Sequence, residues 1–432
     1  MSQLPITHYA SLPGPDDITE TTLPNGIVVL ARANFSSPSV VVNGYLRAGS
    51  IYEPDEKLGL GSFTAAALMR GTALRSHIQL YDALESAGAS LGFNTTIHTI
   101  GFGGKALAED LDLLLDLTAE SLRAPVFPLE EIERLRAQIL TGLALQEQNT
   151  ESMAALTFDK LVYAGHPYSR PGNGRPETVQ SITRDDMLAF HRKHYGPGGM
   201  VITVVGGVEP ARSVEKVAQI FGNWENPGQP EITPLPDLAP LNGSPRQHVF
   251  IPGKSQTNII LGTGGPSTKT PGFLAASLGN NALGQFGMYG RIGEVVREQS
   301  GLAYYAYSSL SGGVGPGPWY FTAGVDPANV EQAIDLIRQE IARFVDEGIT
   351  EDELADSKAN YIGSLPLSLE SNAGVAGALL NLKRYDFPLD YYQAYPDRIN
   401  AVTTEEVLEV TRQYLRPDRL AVATAGPESL IQ

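Results

Sequence analysis

Seven histidines, no cysteine and 48 acidic residues limit the chemistry open to this chain of 432 residues. Without cysteine there is no thiolate nucleophile, no disulfide and no thiolate-bound metal. The histidines are His8, His77, His98, His166, His191, His194 and His248. His191 and His194 stand one helical turn apart, a spacing that can put two imidazoles on one face. A metal site needs three or four ligands. No acidic or histidine partner has a supporting spacing, so the pair reads as solvated helix residues. No Ser/His/Asp or paired-carboxylate pattern marks an independent hydrolase. The run Gly279–Gly290 holds Gly279, Gly284, Gly287 and Gly290, but it lacks the Gly-Lys-Ser/Thr of a phosphate loop. Arg297 and Tyr304 complete the set. By type alone, Arg297 suits a helix-surface pair with Glu294 or Glu298, and Tyr304 suits strand packing.

These residues need elements to carry them, and the chain carries its elements twice. Thr183-Arg184-Asp185-Asp186-Met187-Leu188 is echoed by Thr403-Thr404-Glu405-Glu406-Val407-Leu408, and the same offset pairs Arg192 with Arg412, Pro197 with Pro417 and Gly206 with Gly426. Each block reads as an N-cap threonine, an acidic first turn, an amphipathic helix, a proline turn and a buried strand. His191 and His194 become Thr411 and Tyr414 in the second block. The repetition predicts a gene duplication. Between the copies, Pro227, Pro230, Pro234, Pro236, Pro240 and Pro245 mark a semi-rigid linker. The expected division is therefore 1–222, linker 223–245, and 246–432.

Other signals fit an α+β unit in each half. Asn25-Gly26 is a hairpin-type turn before the apolar run Ile27–Ala31. Ser39–Leu46 reads as a strand, and the Ser311–Pro318 run as a hairpin loop before Trp319 and Tyr320. The segments 106–124, 129–148, 329–346 and 350–365 carry helical spacing. The expected fold is two homologous domains, each a mostly antiparallel sheet with helices on one face. Arg297 would end a helix, Gly301 would allow the turn, and Tyr304 would enter a strand.

Composition sets outer bounds. The formal charge of −17 lacks the basic footprint of a nucleic-acid binder and permits cationic clients. Met1–Pro15 has neither the basic-then-apolar pattern of a secretory signal nor an Arg-rich transit pattern. No run approaches the length of a membrane span. The simplest expectation is a bacterial cytoplasmic protein.

The frame Gly59-Leu60-Gly61-Ser62-Phe63-Thr64-Ala65-Ala66-Ala67-Leu68-Met69-Arg70-Gly71-Thr72 resembles the zinc helix of the pitrilysin-like M16 metallopeptidases. So do Leu23-Pro24-Asn25-Gly26, the segment Ala48–Glu53, Gly165-His166-Pro167-Tyr168, both repeat blocks, and Tyr289-Gly290-Arg291-Ile292 with Val295–Tyr304. The likeness covers nearly the whole chain. It implies the two-domain M16 or LuxS-like metallohydrolase fold. The family carries His-x-x-Glu-His where this chain has Ser62, Ala65 and Ala66. Two imidazoles would hold zinc and the carboxylate would activate its water; a hydroxyl and two methyls do neither. The family's third ligand, a glutamate, belongs on the helix 132–148, where residues 137–145 hold no carboxylate and Glu147 is the nearest.

Within the family the chain is similar to the zinc-less subunit of two-chain M16B peptidases, as in mitochondrial processing peptidase and respiratory-complex core proteins. The resemblance implies that Arg297 and Tyr304 reach a scissile carbonyl at a zinc site on a partner chain, with Gly284 and Gly287 in a loop near the substrate chamber. It implies no cofactor in this chain and zinc on the partner. The expected partners are a zinc-bearing M16 homologue, forming a heterodimer, and peptide substrates. The alternative is a scaffold homologue with no catalytic partner.

Overall fold

The computed structural model describes residues 12–232, 234–285 and 290–427. Eleven strands are named among them: β1 Thr19–Thr22, β2 Val28–Ala33, β3 Ser39–Leu46, β4 Ser90–Thr95, β5 Ile100–Leu107, β6 Val201–Gly206, β7 Arg246–Phe250, β8 Thr257–Gly264, β9 Ala303–Leu310, β10 Pro318–Val325 and β11 Ala421–Gly426. They form two sheets, ordered β1-β2-β6-β3-β5-β4 and β7-β11-β8-β10-β9. Without β1 the two orders are the same pattern. In both, the repeat-block strand runs parallel to one neighbour and antiparallel to the other: β6 between β2 and β3, β11 between β7 and β8. The sheets are mostly antiparallel and carry helices, so the α+β two-domain fold expected from the chain is the fold found.

The repeat blocks form as their sequence demands. Thr183 caps the helix Arg184–His194 in a capping box with Asp186, and Thr403 caps Thr404–Tyr414 with Glu406. The strands that follow, β6 and β11, are buried at every position. One boundary differs from expectation. The helical spacing read over 106–124 begins only at Leu111, because Ala106 and Leu107 finish β5 against β3.

The chain divides into two compact units that are not continuous in sequence. The first comprises 1–143, 171–233 and 365–395; the second comprises 144–170, 234–364 and 396–432. In the first, Val29, Val40, Val42, Ile202 and Val204 meet Leu114, Leu115, Val217 and Phe221 on one face of the sheet. The other face is also covered. Leu30, Val41, Tyr45, Val201 and Val205 pack on Val375, Ala376, Leu379 and Leu382 of the helix Asn372–Arg384, which comes from the second half of the chain. In the second unit, Ala421, Ala423, Ala425 and Ile260 pack on Ala154, Phe158 and Val162 of the helix Thr150–Val162, which comes from the first half. Each half thus supplies a helix to the other half's sheet. The near-continuous burial of β3 and β6 follows from cover on both faces. The one-face expectation did not include that second layer. The proline-rich segment beyond Pro234 is not bare spacer either, since Leu238 and Leu241 pack on the second unit's core.

Among the described residues no helix is long and apolar enough to cross a membrane.

Candidate functional site

The first place of interest is the helix Leu60–Ala67 in the first unit. Its start is built tightly. Gly59 sits in the left-handed region at φ 92°, and a Cβ there would meet Asn173 O at 2.8 Å. The buried Glu53 carboxylate accepts from Gly59 N and Gly61 N, each at 2.7 Å. A carboxylate at a helix N-terminus suits both the orphan N–H groups and the dipole. Phe63, Ala65 and Ala67 are buried in the first core, and the Arg136 guanidinium lies 5.1 Å over the Phe63 ring.

On this helix Ser62 is half-buried, and its Oγ donates to Asn173 Oδ1 at 3.2 Å. Ala65 is buried and Ala66 is exposed. The three positions therefore offer one hydroxyl, already hydrogen-bonded, and two methyl groups. That donor set does not fit zinc, which takes imidazole, thiolate or carboxylate. On the helix Leu129–Glu147, Ala137 and Gly142 are exposed, and Glu147 is exposed at its end. Among the described residues no three His, Asp or Glu side chains gather closely enough to hold a metal ion.

His191 and His194 are not solvated, contrary to expectation. His191 donates from Nε2 to Leu122 O at 2.8 Å and packs on Tyr195 with ring centroids 4.5 Å apart. His194 is buried, 5.1 Å from the Tyr52 ring and 4.7 Å from Phe190. Burial pushes the His194 imidazole down to about 4, with the neighbouring Lys193 charge adding to it. Burial likewise lowers His191, partly opposed by its bond to Leu122. Both rings are core components.

The second place is in the second unit. The chain leaves the short helix Arg291–Gly293 through the π-helical turn Glu294–Gln299. Gly301, at φ 63°, turns it, with Gly301 N donating to Arg297 O at 2.9 Å and Leu302 N to Val296 O at 3.1 Å. β9 then begins at the edge of its sheet. This helix, glycine turn and strand bring Arg297 and Tyr304 together: Arg297 Cζ lies 5.8 Å from the Tyr304 ring centroid. Tyr304 is 83% exposed. Arg297 is also 3.5 Å from Glu298, so the helix-surface pair weighed on sequence grounds is present beside the stack. A guanidinium fork over an exposed phenol is a pair of donors able to meet one developing negative charge.

Gly284 is buried beneath this segment. A Cβ on Gly290 would come within 2.2 Å of Gly284 Cα, so the two backbones touch and neither position has room for a side chain. Gly287 and Tyr289 lie outside the described residues, as does His8.

Sequence reasoning missed Glu53, whose role depends on backbone N–H groups six and eight residues away. The acidic residue ahead of a Gly-x-Gly helix start was the available signal.

Two mixed sheets of one topology, each covered by a helix from the other half of the chain, define a duplicated α+β fold. The family model described as insulinase (peptidase family M16) matches residues 28–172, and that described as peptidase M16 inactive domain matches 181–361. The chain belongs to the M16 peptidase family. It is 27% identical over 421 residues to an uncharacterized zinc protease of Streptomyces coelicolor, covering 96% of this chain and 90% of that one. It is 30% identical over 201 residues to a probable mitochondrial-processing peptidase subunit beta of Arabidopsis thaliana, covering 46% and 38%. The crystal structure of a peptidase M16 inactive domain from Pseudomonas fluorescens superposes with a TM-score of 0.89 at 27% identity, covering 95% of this chain and 98% of that one. These likenesses are consistent with a non-catalytic member of the family.

Proposed function

We propose that this chain is the non-catalytic, substrate-holding subunit of a heterodimeric M16 zinc peptidase. The observation that carries the reading is the stacked Arg297–Tyr304 pair with its phenol 83% exposed. An exposed phenol can reach a group outside its own chain, which a buried one cannot. A zinc-bearing homologue would supply the metal and its activated water. Arg297 and Tyr304 would hold the scissile carbonyl of a bound peptide and donate to its oxygen as charge develops. The pair gains most where water is excluded, which fits a closed chamber formed by two chains. Gly284 and Gly290 would keep the neighbouring backbone close beneath the pair. Support for a bacterial setting comes from bacterial relatives such as that of Streptomyces coelicolor.

The test is reconstitution. Neither chain alone should cleave peptides well, and the mixture should. Tyr304→Phe in the mixture should cut turnover about a hundredfold with assembly unchanged, the usual cost of losing one oxyanion donor. Full activity of a Tyr304→Phe, Arg297→Ala double variant in a verified heterodimer would refute the assignment of this pair. Failure to activate any zinc-bearing homologue would favour a scaffold instead.

A further inference from the structure

The proline-rich segment and the second repeat block line a cavity that the stacked pair does not use. Its volume is ≈ 730 Å³, and its lining lies wholly within the second unit. That is inside the size range of small-ligand sites. The walls are 235–241, the end of β8 with the loop that follows it, the loop 314–316, and the stretch 413–419 between the helix Thr404–Tyr414 and β11. Two of these walls are pinned by buried side chains. The Tyr163 hydroxyl donates to Pro316 O at 3.0 Å. His166 donates from Nε2 to Pro236 O at 3.2 Å, while its Nδ1 accepts from Tyr168 N at 3.1 Å. Backbone bonds tie the loop after β8 to the loop around 314–316: Gly265 N donates to Gly317 O at 2.6 Å and Thr268 N to Gly313 O at 3.0 Å. The cavity is therefore preformed, as ligand sites usually are. Its lining is divided by chemistry. Val162, Leu235, Leu238 and Val314 make an apolar part, and Val162 and Leu238 belong to the second unit's core. Tyr414, Arg416 and Arg419 make a polar part. Among the described residues the Tyr414 phenol and the Arg416 guanidinium have no hydrogen-bond or ion-pair partner, and Arg419 has only its neighbour Asp418, at 3.6 Å. Asp237 is the one carboxylate on the described lining, and it pairs with neither arginine.

Two guanidinium groups against one carboxylate leave the lining with one net positive charge, in a chain whose formal charge is −17. Like charges on one wall repel, and an anion between them removes that repulsion. The guanidinium fork matches the carboxylate geometry, and the free phenol adds one more donor. We propose that this cavity binds a small carboxylic acid with an apolar body. Arg416 and Arg419 take the carboxylate, and the body lies against Leu235, Leu238 and Val314. The balance of charge selects the anion. A carboxylate carries one negative charge and matches the lining, whereas a phosphate monoester carries nearly two at neutral pH and would also face Asp237. The acid comes either as a free small molecule or as the C-terminus of a short peptide, and both present the same carboxylate and apolar body. The proposal does not depend on the role given to Arg297 and Tyr304, and it concerns this chain alone.

The experiment is isothermal titration calorimetry of the full chain without a partner. The probes are phenylpropanoate and its amide, N-acetyl-leucyl-phenylalanine and its amide, and inorganic phosphate. Each amide keeps the shape and loses the charge. The acids should bind at least about tenfold more tightly than their amides, with affinity falling as salt rises. The tighter of the two acids identifies the source. An Arg416→Gln, Arg419→Gln variant, altered only at exposed positions, should lose about tenfold or more of its affinity for the acids and none for the amides, since hydrogen bonds to charged groups carry such factors. Val314→Ser should weaken acid and amide by the same factor and leave the salt dependence unchanged. Equal binding of acid and amide, tighter binding of inorganic phosphate than of either acid, no heat from either acid at millimolar concentration, or full affinity in the Arg416→Gln, Arg419→Gln variant would overturn the proposal.

Discussion

Replacing His194 with phenylalanine should make the first unit resist acid. The ring is buried between Tyr52 and Phe190, at centroid distances of 5.1 and 4.7 Å, and Phe can keep both stacks. Phe cannot take a proton. Burial holds the native imidazole at about 4 against an ordinary 6.5. Between these values the unfolded chain binds more protons than the folded one, so stability rises with pH there and is lost as pH falls from about 6.5 toward 4. For this pair of values, linkage gives a loss of about 2 kcal/mol on going from about pH 7 to pH 5, and solvent screening reduces it to about 1 kcal/mol. The assay is urea denaturation of wild type and His194→Phe at a series of pH values, followed by tryptophan fluorescence. Trp224 is buried in the same core and reports on it. The variant should fall behind or match wild type at neutral pH and overtake it by about 1–2 kcal/mol near pH 5. Parallel pH dependence in the two proteins, or a wild type that gains on the variant in acid, would refute the claim that the ring is held neutral by burial.

Two further outcomes follow from the same structure. Asp159 has the opposite sign: burial raises its carboxyl to about 7 from 3.8, so the wild type gains stability as pH falls through that window. Asp159→Asn should be about 2 kcal/mol more stable than wild type near pH 8, with the difference vanishing toward pH 4 in urea titrations. The purified chain should carry less than about 0.1 zinc per molecule by elemental analysis after dialysis, because Ser62, Ala65 and Ala66 supply no zinc ligand; about one zinc per chain would overturn that reading.

What was legible in the sequence was whatever is written locally. A threonine N-cap with a carboxylate three residues on, then an apolar strand, specifies the same helix and strand at Thr183–Gly206 and Thr403–Gly426 without outside help. Arg297 and Tyr304 meet because a helix end, a left-handed glycine and a strand start fix their separation within eleven residues of chain, 294–304. Long-range partners were not legible. The stripe Val375, Leu379, Leu382 declares a buried helix face, but nothing in it names the sheet of the other half as its target. The histidines were misread for the same reason. On their own helix they are polar residues in a run that ends His-Arg-Lys-His, and only Tyr52 and the Leu122 carbonyl, brought in by the fold, make them interior. The cavity beside the proline-rich segment joins residues as far apart as Val162 and Arg419 and has no sequence motif.

A last physical question is what fixes the helix Leu60–Ala67, whose residues Ser62, Ala65 and Ala66 can hold no zinc. A structural metal holds small domains together because their cores are too small to do so. Here the helix Leu60–Ala67 is fixed by other means. Phe63, Ala65 and Ala67 are buried in a core that draws on four of the six strands of the first sheet, and Glu53 pins its first turn. Alanine is the best helix former, so an Ala65, Ala66, Ala67 run strengthens this element. At Ala65 a glutamate would place a carboxylate in a buried position, at a cost of several kcal/mol unless it is paired. The methyl group there favours folding once no metal is bound. Ala66 is exposed, so the core places no demand on its side chain. The two positions are under different constraints: burial disfavours an acid at 65, and exposure leaves 66 open. The helix serves as a packing element. Tyr304, whose phenol is strongly exposed, stands in the other unit.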